Sequence, residues 1–438
     1  MMAPHFKKKA GNMNTETGQT RWSKWGRWVI GIPLGALVGV GVIGAGTLIE
    51  QQWVNRKLQK VRHHAASPPV ATANAVAPPN RRPTPTPLKG IYMTSWVASQ
   101  HQWRAQLADF VDQSELNAIV IDVKDYSGAI SFKTGDPQLA PYEENRVPDM
   151  KGFIETLHQK GIYVIARITV FQDPLFAKAH PQLAVQTRGG GLWRDRHGLH
   201  YIDPGARLFW DHIIRLSHAC IAVGFDELNF DYVRYPTDGN MADMRFPVTG
   251  TRLSTPAQTV ITLNGHVTPN GAKVAYVHRP TQKELVVSSF FKALREALSP
   301  TGIVMSADLF GMTLTALDDV SIGQHLATAS PYFDYICPMV YPSHYPPGFN
   351  GYGNPALYPY ELIRYVMAKG RDRMIRFGYP PSQLRPWLQD FNLGAPYTAE
   401  RVRAQITATT EVGQPSWLMW DPRNRYTRAA YRKGSDHE

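Results

Sequence analysis

From residue 89 onward the chain alternates two periodicities. Short apolar runs rich in β-branched and aromatic residues are separated by stretches whose apolar positions recur every three to four residues. Gly90–Trp96 (GIYMTSW), Ala118–Asp125 (AIVIDVKD), Ile162–Phe171 (IYVIARITVF) and Asp226–Tyr235 (DELNFDYVRY) read as four strands. Ile303–Phe310 (IVMSADLF), Tyr335–Tyr341 (YICPMVY), Leu384–Asp390 (LRPWLQD) and Ser416–Asp421 (SWLMWD) read as four more, with Met374–Phe377 competing for the seventh place. Helical periodicity fills the gaps: around Gln102–Gln113, after a cap at Asp149 as far as Lys160-Gly161, through Ile213–Ile221, over Thr281–Leu298, and from Thr398 to Glu411. Eight strands alternating with helices predict an α/β fold of the (β/α)8 TIM-barrel type. An open doubly wound sheet would need a glycine-rich phosphate turn after the first strand, and none is present.

Two connections exceed what such a barrel needs. Arg188–His200 (RGGGLWRDRHGLH) follows the third strand, and 238–280 separates the fourth strand from its helix. The second contains Thr259–Leu263 and Lys273–Val277 around Asn264-Gly265 and Asn270-Gly271, which predicts an inserted β-hairpin. Its expected position is over the C-terminal face of the barrel, as a substrate lid or as a plain insertion.

Upstream of residue 89 the pattern changes completely. Residues 1–28 are polar and basic, and Val29–Ile49 then runs without a charge, long enough for a transmembrane helix. The run is too long and starts too late for a signal peptide, so an uncleaved anchor is expected. Six basic residues precede it and Arg56, Lys57, Lys60 and Arg62 follow, a bias that favours a cytoplasmic N-terminus. Gly31, Gly35 and Gly39 recur at a spacing that suits self-association of two anchors. Residues 50–88 continue into a Pro/Ala/Thr-rich linker, a semi-rigid spacer. The expected organisation is therefore a tail (1–28), an anchor (29–49), a linker (50–88), a barrel (89–427) and a polar tail (428–438). Localisation follows: single-pass in the inner (cytoplasmic) membrane, with the barrel periplasmic or extracellular.

Charge changes the picture only once it is located. The net charge of +12 suggests nucleic acid, but thirteen of the 47 basic residues and only two of the 35 acidic ones lie in residues 1–89. The remainder, 34 against 33, is close to neutral, and nucleic acid is not an expected partner. Cys220 and Cys337 lie in apolar runs and read as buried free thiols, with one disulfide as the alternative. Scattered histidines, no GxSxG elbow and no CxxC argue against metal, serine or cysteine chemistry, and no cofactor is expected.

The candidate chemistry centres on the fourth strand. Read with period two, Leu228 and Phe230 point one way while Glu227, Asn229 and Asp231 point the other. Two carboxylates on the inner face of a buried strand are costly unless paired or used. Glu227, deeper, reads as half of an ion pair, with Arg167 as the candidate partner; it is also kept among candidate substrate-binding groups. Asp231 lies near the strand's C-terminal end, where active sites of this fold are built. Asp308 ends the adjacent strand, and catalysis is weighed there against capping of Gly311–Leu317. Two carboxyl groups flanking one opening suit glycoside cleavage. Asp122, Arg167 and Arg234 are further binding or structural candidates, with Lys124 a plausible partner for Asp122 or Asp125. Trp96, Tyr341, Tyr345, Trp387 and Trp420 fall near strand ends, with Tyr341, Trp387 and Trp420 the first candidates for sugar platforms.

The ordered motifs DELNFDYVRYP, IDVKD, ARITVF, SADLFG, PMVYPSHY and RPWLQDF resemble the glycoside-hydrolase-like family DUF4015 from about Lys89 to Thr427. The resemblance implies a glycosidase-like TIM barrel acting on an oligosaccharide or polysaccharide. Two departures stand out: Trp420-Asp421 replaces a usual Trp-Asn pair, and Phe377–Gln383 looks inserted. A non-catalytic glycan-binding barrel of the cell envelope is the alternative reading, since a fold does not fix a function.

Overall fold

The computed structural model describes residues 81–250, 260–267 and 273–433. The expected tail, anchor and most of the linker lie outside the described residues, as does Asn270-Gly271. Among the described residues no helix is long and apolar enough to cross a membrane.

Eight parallel strands close a barrel: β1 Lys89–Met93, β2 Ala118–Lys124, β3 Tyr163–Thr169, β4 Glu227–Asp231, β5 Val304–Phe310, β6 Tyr335–Met339, β7 Trp387–Gln389 and β8 Trp417–Trp420. Each pairs with its sequence neighbours, and β8 pairs with β1. The helical layer comprises α1 His101–Asp112, α2 Met150–Gln159, α3 Arg207–Val223, α4 Gln282–Leu298, α5 Leu326–Ala329, α6 Pro359–Phe377 and α7 Ala399–Glu411. Met374–Phe377 is therefore the last turn of α6, not a strand. Thr281 caps α4 through a reciprocal capping box with Glu284. Asp149 stands at the cap position of α2, but its carboxylate pairs with Arg104 instead (Nη1–Oδ1 2.9 Å).

Two apolar layers result from the period of two. Ile119, Ile121, Val164, Ala166, Leu228, Phe230, Met305 and Ala307 pack outward against the helices in the large core cluster. Tyr92, Val120, Tyr163, Ile165, Cys337, Trp387 and Leu418 fill the barrel interior. Polar side chains share that interior, which is where the site is built.

Three boundaries differ from expectation. The packed chain begins before Lys89: the Arg82 amide donates to Asp226 Oδ1 at 2.7 Å, and Leu88 is buried in the interior cluster. The reason is that an open barrel bottom exposes apolar surface and strand-end polar groups, which this segment covers. At the other end Lys433 bridges Ser114, beyond Thr427. The inserted hairpin forms, Ile261–Val267 against Lys273–His278, but Asn264-Gly265 sits at a register shift within the first strand rather than at a turn. None of its described residues lines the cavity at the barrel mouth. Tyr276 packs on Phe377 of α6 (ring centroids 4.5 Å), placing the hairpin against the helical layer.

Candidate active site

The barrel interior is layered by strand register. Lowest is Glu227, fully buried, which accepts from Arg385 Nη1 at 3.2 Å and from Nη2, from Ser306 Oγ at 2.5 Å and from the Tyr163 hydroxyl at 3.3 Å. Arg385, not Arg167, is thus its ion-pair partner. It enters at the start of β7, just before Pro386, with its guanidinium 4.3 Å from the Tyr335 ring centroid. The sequence signal was indirect: a fully buried carboxylate requires a cation, and only its position across the barrel names which one.

Arg167 is opposite Asn229 in the β3–β4 register, close to the C-terminal mouth. Its Nη1 donates to Asp122 Oδ1 at 2.6 Å, its Nη2 donates to Asp231 Oδ2, and its Nε lies 3.9 Å from Asp308 Oδ2. Burial opposes its charge, but Asp122 and Asp231 outweigh that effect and raise its pKa well above the ordinary value. One permanent cation therefore faces three carboxyl groups. Asp122 also accepts from the Tyr92 hydroxyl. Lys124 does not serve it: that ammonium is buried 2.9 Å from Asp173 and donates to the Thr169 carbonyl at 2.6 Å. Asp125 is likewise taken, by Arg146 at 2.6 Å.

The two candidate catalytic carboxyls differ in environment. Asp231 Oδ1 accepts the Tyr232 backbone N–H at 2.6 Å, and its other oxygen faces Arg167. The Tyr232 backbone lies in the left-handed region at φ 53°, which is unusual for an aromatic residue and ends β4 in a sharp turn. Asp308 Oδ1 accepts from Asn229 Nδ2 at 2.8 Å and from Trp387 Nε1 at 2.7 Å. It caps nothing: Gln324 Oε1 takes the Phe310 N–H at 2.8 Å, and Gly311–Leu314 has no side-chain cap. Burial, then the Asp231 charge, push the Asp308 carboxyl well above its usual range, against Arg167 and the two N–H donors. With Oδ1 occupied by two donors, Oδ2 is the oxygen left to carry the proton.

Both carboxyls line a cavity of about 510 Å³ at the C-terminal mouth, together with Arg167, Arg234, Tyr341, Tyr345 and Trp420. Asp122, Glu227 and Trp387, candidates for substrate contact, are not among the residues that line it. Trp387 is fully buried and presents its indole N–H to Asp308, while Tyr92 stacks on Trp420 at 3.8 Å and covers one of its faces. Trp96 is exposed but also absent from the lining. Asp421 accepts the Arg423 N–H at 2.6 Å, and Asn424 bonds the Tyr92 carbonyl at 2.9 Å, so Asp421 shapes a turn outside the cavity. Arg234 is buried between the Tyr232 and Phe310 rings and reaches Asp238 at 3.1 Å. Gly311 has a specific role here, because a Cβ would come within 2.3 Å of the Met339 carbonyl oxygen. The two long connections also reach the cavity, through residues not named as candidates from the sequence. Asp195, His197 and Leu199 of the glycine-rich connection join Asp238 of the insertion, and the two segments bridge at Asp195 and Gly239.

The family model described as "Putative glycosyl hydrolase domain", DUF4015, matches residues 90–426. The chain belongs to this family. No curated protein matches significantly. Among solved structures, a hypothetical protein from Ruminiclostridium thermocellum ATCC 27405 is 27% identical over 50% of this chain and 96% of its own, with a TM-score of 0.39. An α-galactosidase from Thermus thermophilus is 14% identical, with 79% of this chain and 60% of that one covered and a TM-score of 0.44. α-L-Fucosidase isoenzyme 2 from Paenibacillus thiaminolyticus is 14% identical, covering 78% and 48% respectively, with a TM-score of 0.47.

Among the described residues of the DUF4015 domain, one further side-chain group has the composition of a metal site, His278, Glu284 and His325. Its geometry does not suit one. The two imidazoles stack in parallel (4.1 Å, 4°), so their lone pairs do not converge on a point. His325 Nε2 lies 2.9 Å from Arg373 Nη2, and its Nδ1 accepts the Ala327 N–H at 3.2 Å. Burial, then His278 and Arg373, lower the His325 pKa to about 2, while His278 contacts Glu284 at 2.6 Å. The group ties the hairpin to α4, α5 and α6.

Proposed function

We propose that this chain is a membrane-anchored glycoside hydrolase acting on an extracytoplasmic polysaccharide, with Asp308 as general acid and Asp231 as nucleophile or base. The observation that carries this reading is a pair of carboxyls at the ends of adjacent strands, facing one cavity, with the Asp308 pKa raised by burial and then by the Asp231 charge. Asp308, held protonated, gives its Oδ2 proton to the glycosidic oxygen as the C–O bond breaks. Asp231 either attacks the anomeric carbon or takes a proton from the attacking water. Arg167 donates to Asp231 and, at 2.6 Å, to Asp122, so the two carboxyls share one cation. Tyr341 and Trp420 supply apolar surface at the rim.

The test is a hydrolysis screen of the full chain on bacterial and plant polysaccharides, read as release of reducing ends. The rate on a cleaved substrate is expected to fall as pH rises through the raised pKa of Asp308, because the acid must carry its proton. Asp308→Asn should abolish turnover of substrates with poor leaving groups and remove that limb for activated leaving groups, which depart without a proton. A folded protein that bound glycans but released no ends from any of them would favour the non-catalytic alternative.

The anchor belongs to the same proposal. Its support is the uncharged run Val29–Ile49 behind a basic tail. A reporter fused after Glu438 should be active on the extracytoplasmic side. Activity confined to the cytoplasm would reverse the orientation.

A further inference from the structure

Below the two carboxyls lies a chain of buried hydrogen bonds whose direction is set from its far end. Glu227, anchored by Arg385, carries no proton donor when ionised, so the Ser306 hydroxyl at 2.5 Å must donate to it. That leaves Ser306 Oγ as an acceptor, and the Asn229 amide meets it with Nδ2 at 3.1 Å. The same Nδ2 reaches Asp308 Oδ1 at 2.8 Å, where Trp387 Nε1 also donates. Asn229 Oδ1, buried, has no partner among the described residues. An amide turned the other way would satisfy that oxygen with a proton on Asp308 Oδ1. The observed orientation forgoes this bond because Ser306 offers Nδ2 an acceptor.

We infer that Ser306 and Asn229 are positioning residues that select which oxygen of Asp308 carries the proton. Glu227 fixes the hydroxyl of Ser306, the hydroxyl fixes the amide of Asn229, and the amide keeps Oδ1 an acceptor. The proton is thereby confined to Oδ2, the oxygen 3.9 Å from Arg167 Nε. None of these groups touches the reacting atoms, and the register that aligns them is that of neighbouring strands, Asn229 opposite Ser306. The inference rests on the proposed role of Asp308 as acid.

In Ser306→Ala the amide loses its acceptor and turns, so Oδ1 takes the proton and donates it to Asn229 Oδ1. One donor to the carboxylate form is lost, so the Asp308 pKa rises further. The expected result is a kcat lower by about tenfold or more, within the range that general acid catalysis supplies, with KM little changed and the high-pH limb displaced upward. Ser306→Thr keeps the hydroxyl and should restore both. A readout independent of turnover is the infrared carbonyl stretch of protonated Asp308, identified in the full-length wild type at neutral pH by its loss in Asp308→Asn. A band present in wild type and shifted in Ser306→Ala, but not in Ser306→Thr, supports the inference. A band that stays put in Ser306→Ala overturns it while leaving the acid role intact. No band in wild type overturns the acid role itself. Should Ser306→Ala fail to fold, Asn229→Leu, which removes the donor without touching Glu227, must displace the band in its place, and an unmoved band there counts against the inference equally.

Discussion

Asp231→Asn is expected to lower glycoside turnover by on the order of 10²–10⁴-fold while the barrel stays folded. The substitution conserves shape at the end of β4 but removes the charge that would attack carbon or accept a proton. Its structural cost is bounded by the surroundings. Arg167 keeps Asp122 as a partner at 2.6 Å, so no cation is left unpaired in the interior. One amide oxygen can serve either Arg167 or the Tyr232 N–H, and the loss of the other bond costs about 1–3 kcal/mol. A second consequence has a definite sign. Asp231 is the neighbouring charge that helps hold Asp308 protonated, so in Asp231→Asn the Asp308 pKa should drop toward the ordinary range. The measurement is a thermal melt beside the rate on whichever glycan the wild type cleaves. Near-normal turnover from a folded variant would end the assignment of Asp231.

Arg385→Leu should produce the largest loss of stability among single changes near the site, about 3–5 kcal/mol, since it strands a buried carboxylate. Glu227 has no route to solvent, and the remaining hydroxyl donors, Ser306 and Tyr163, do not replace a guanidinium. The companion Glu227→Leu/Arg385→Leu should recover much of the loss, because an apolar pair in the same volume has no charge to compensate. Chemical denaturation of the three proteins tests this. Equal stability of the single and double variants would show that the stranded Glu227 carboxyl is not the source of the loss. The double variant should still hydrolyse glycans poorly, because Ser306 would no longer be oriented. Stability and activity then separate within one experiment.

The alternation in β4 carried most of what was legible about the site. Period two alone put Leu228 and Phe230 in the outer layer and Glu227, Asn229 and Asp231 in the interior. It also marked the strand end as the reactive level, and β5 supplied Asp308 by the same logic. What period two does not contain is the distance across the barrel. Arg167, the candidate partner of Glu227 in the sequence, pairs with Asp122 and Asp231 instead, and Arg385 reaches Glu227 from just before the seventh strand through the interior. The same limitation misplaced Trp387, whose position at a strand end suggested a platform while its ring turns inward to bond Asp308. The hairpin was recognised from its alternating residues, but its docking on α6 depends on Tyr276 meeting Phe377, a contact remote in sequence.

By itself, then, the sequence determined the strand and helix alternation, the face on which each carboxylate stands, and the order of the motifs along the barrel. These follow from local sterics and from burial of apolar side chains, which act on neighbours in the chain. Only the tertiary structure decided which cation meets which carboxylate, which oxygen of Asp308 is left free, and which rings face the cavity. Those outcomes depend on pairing across a closed barrel, where a shift of one residue in register exchanges an interior partner for one in the helix-facing layer.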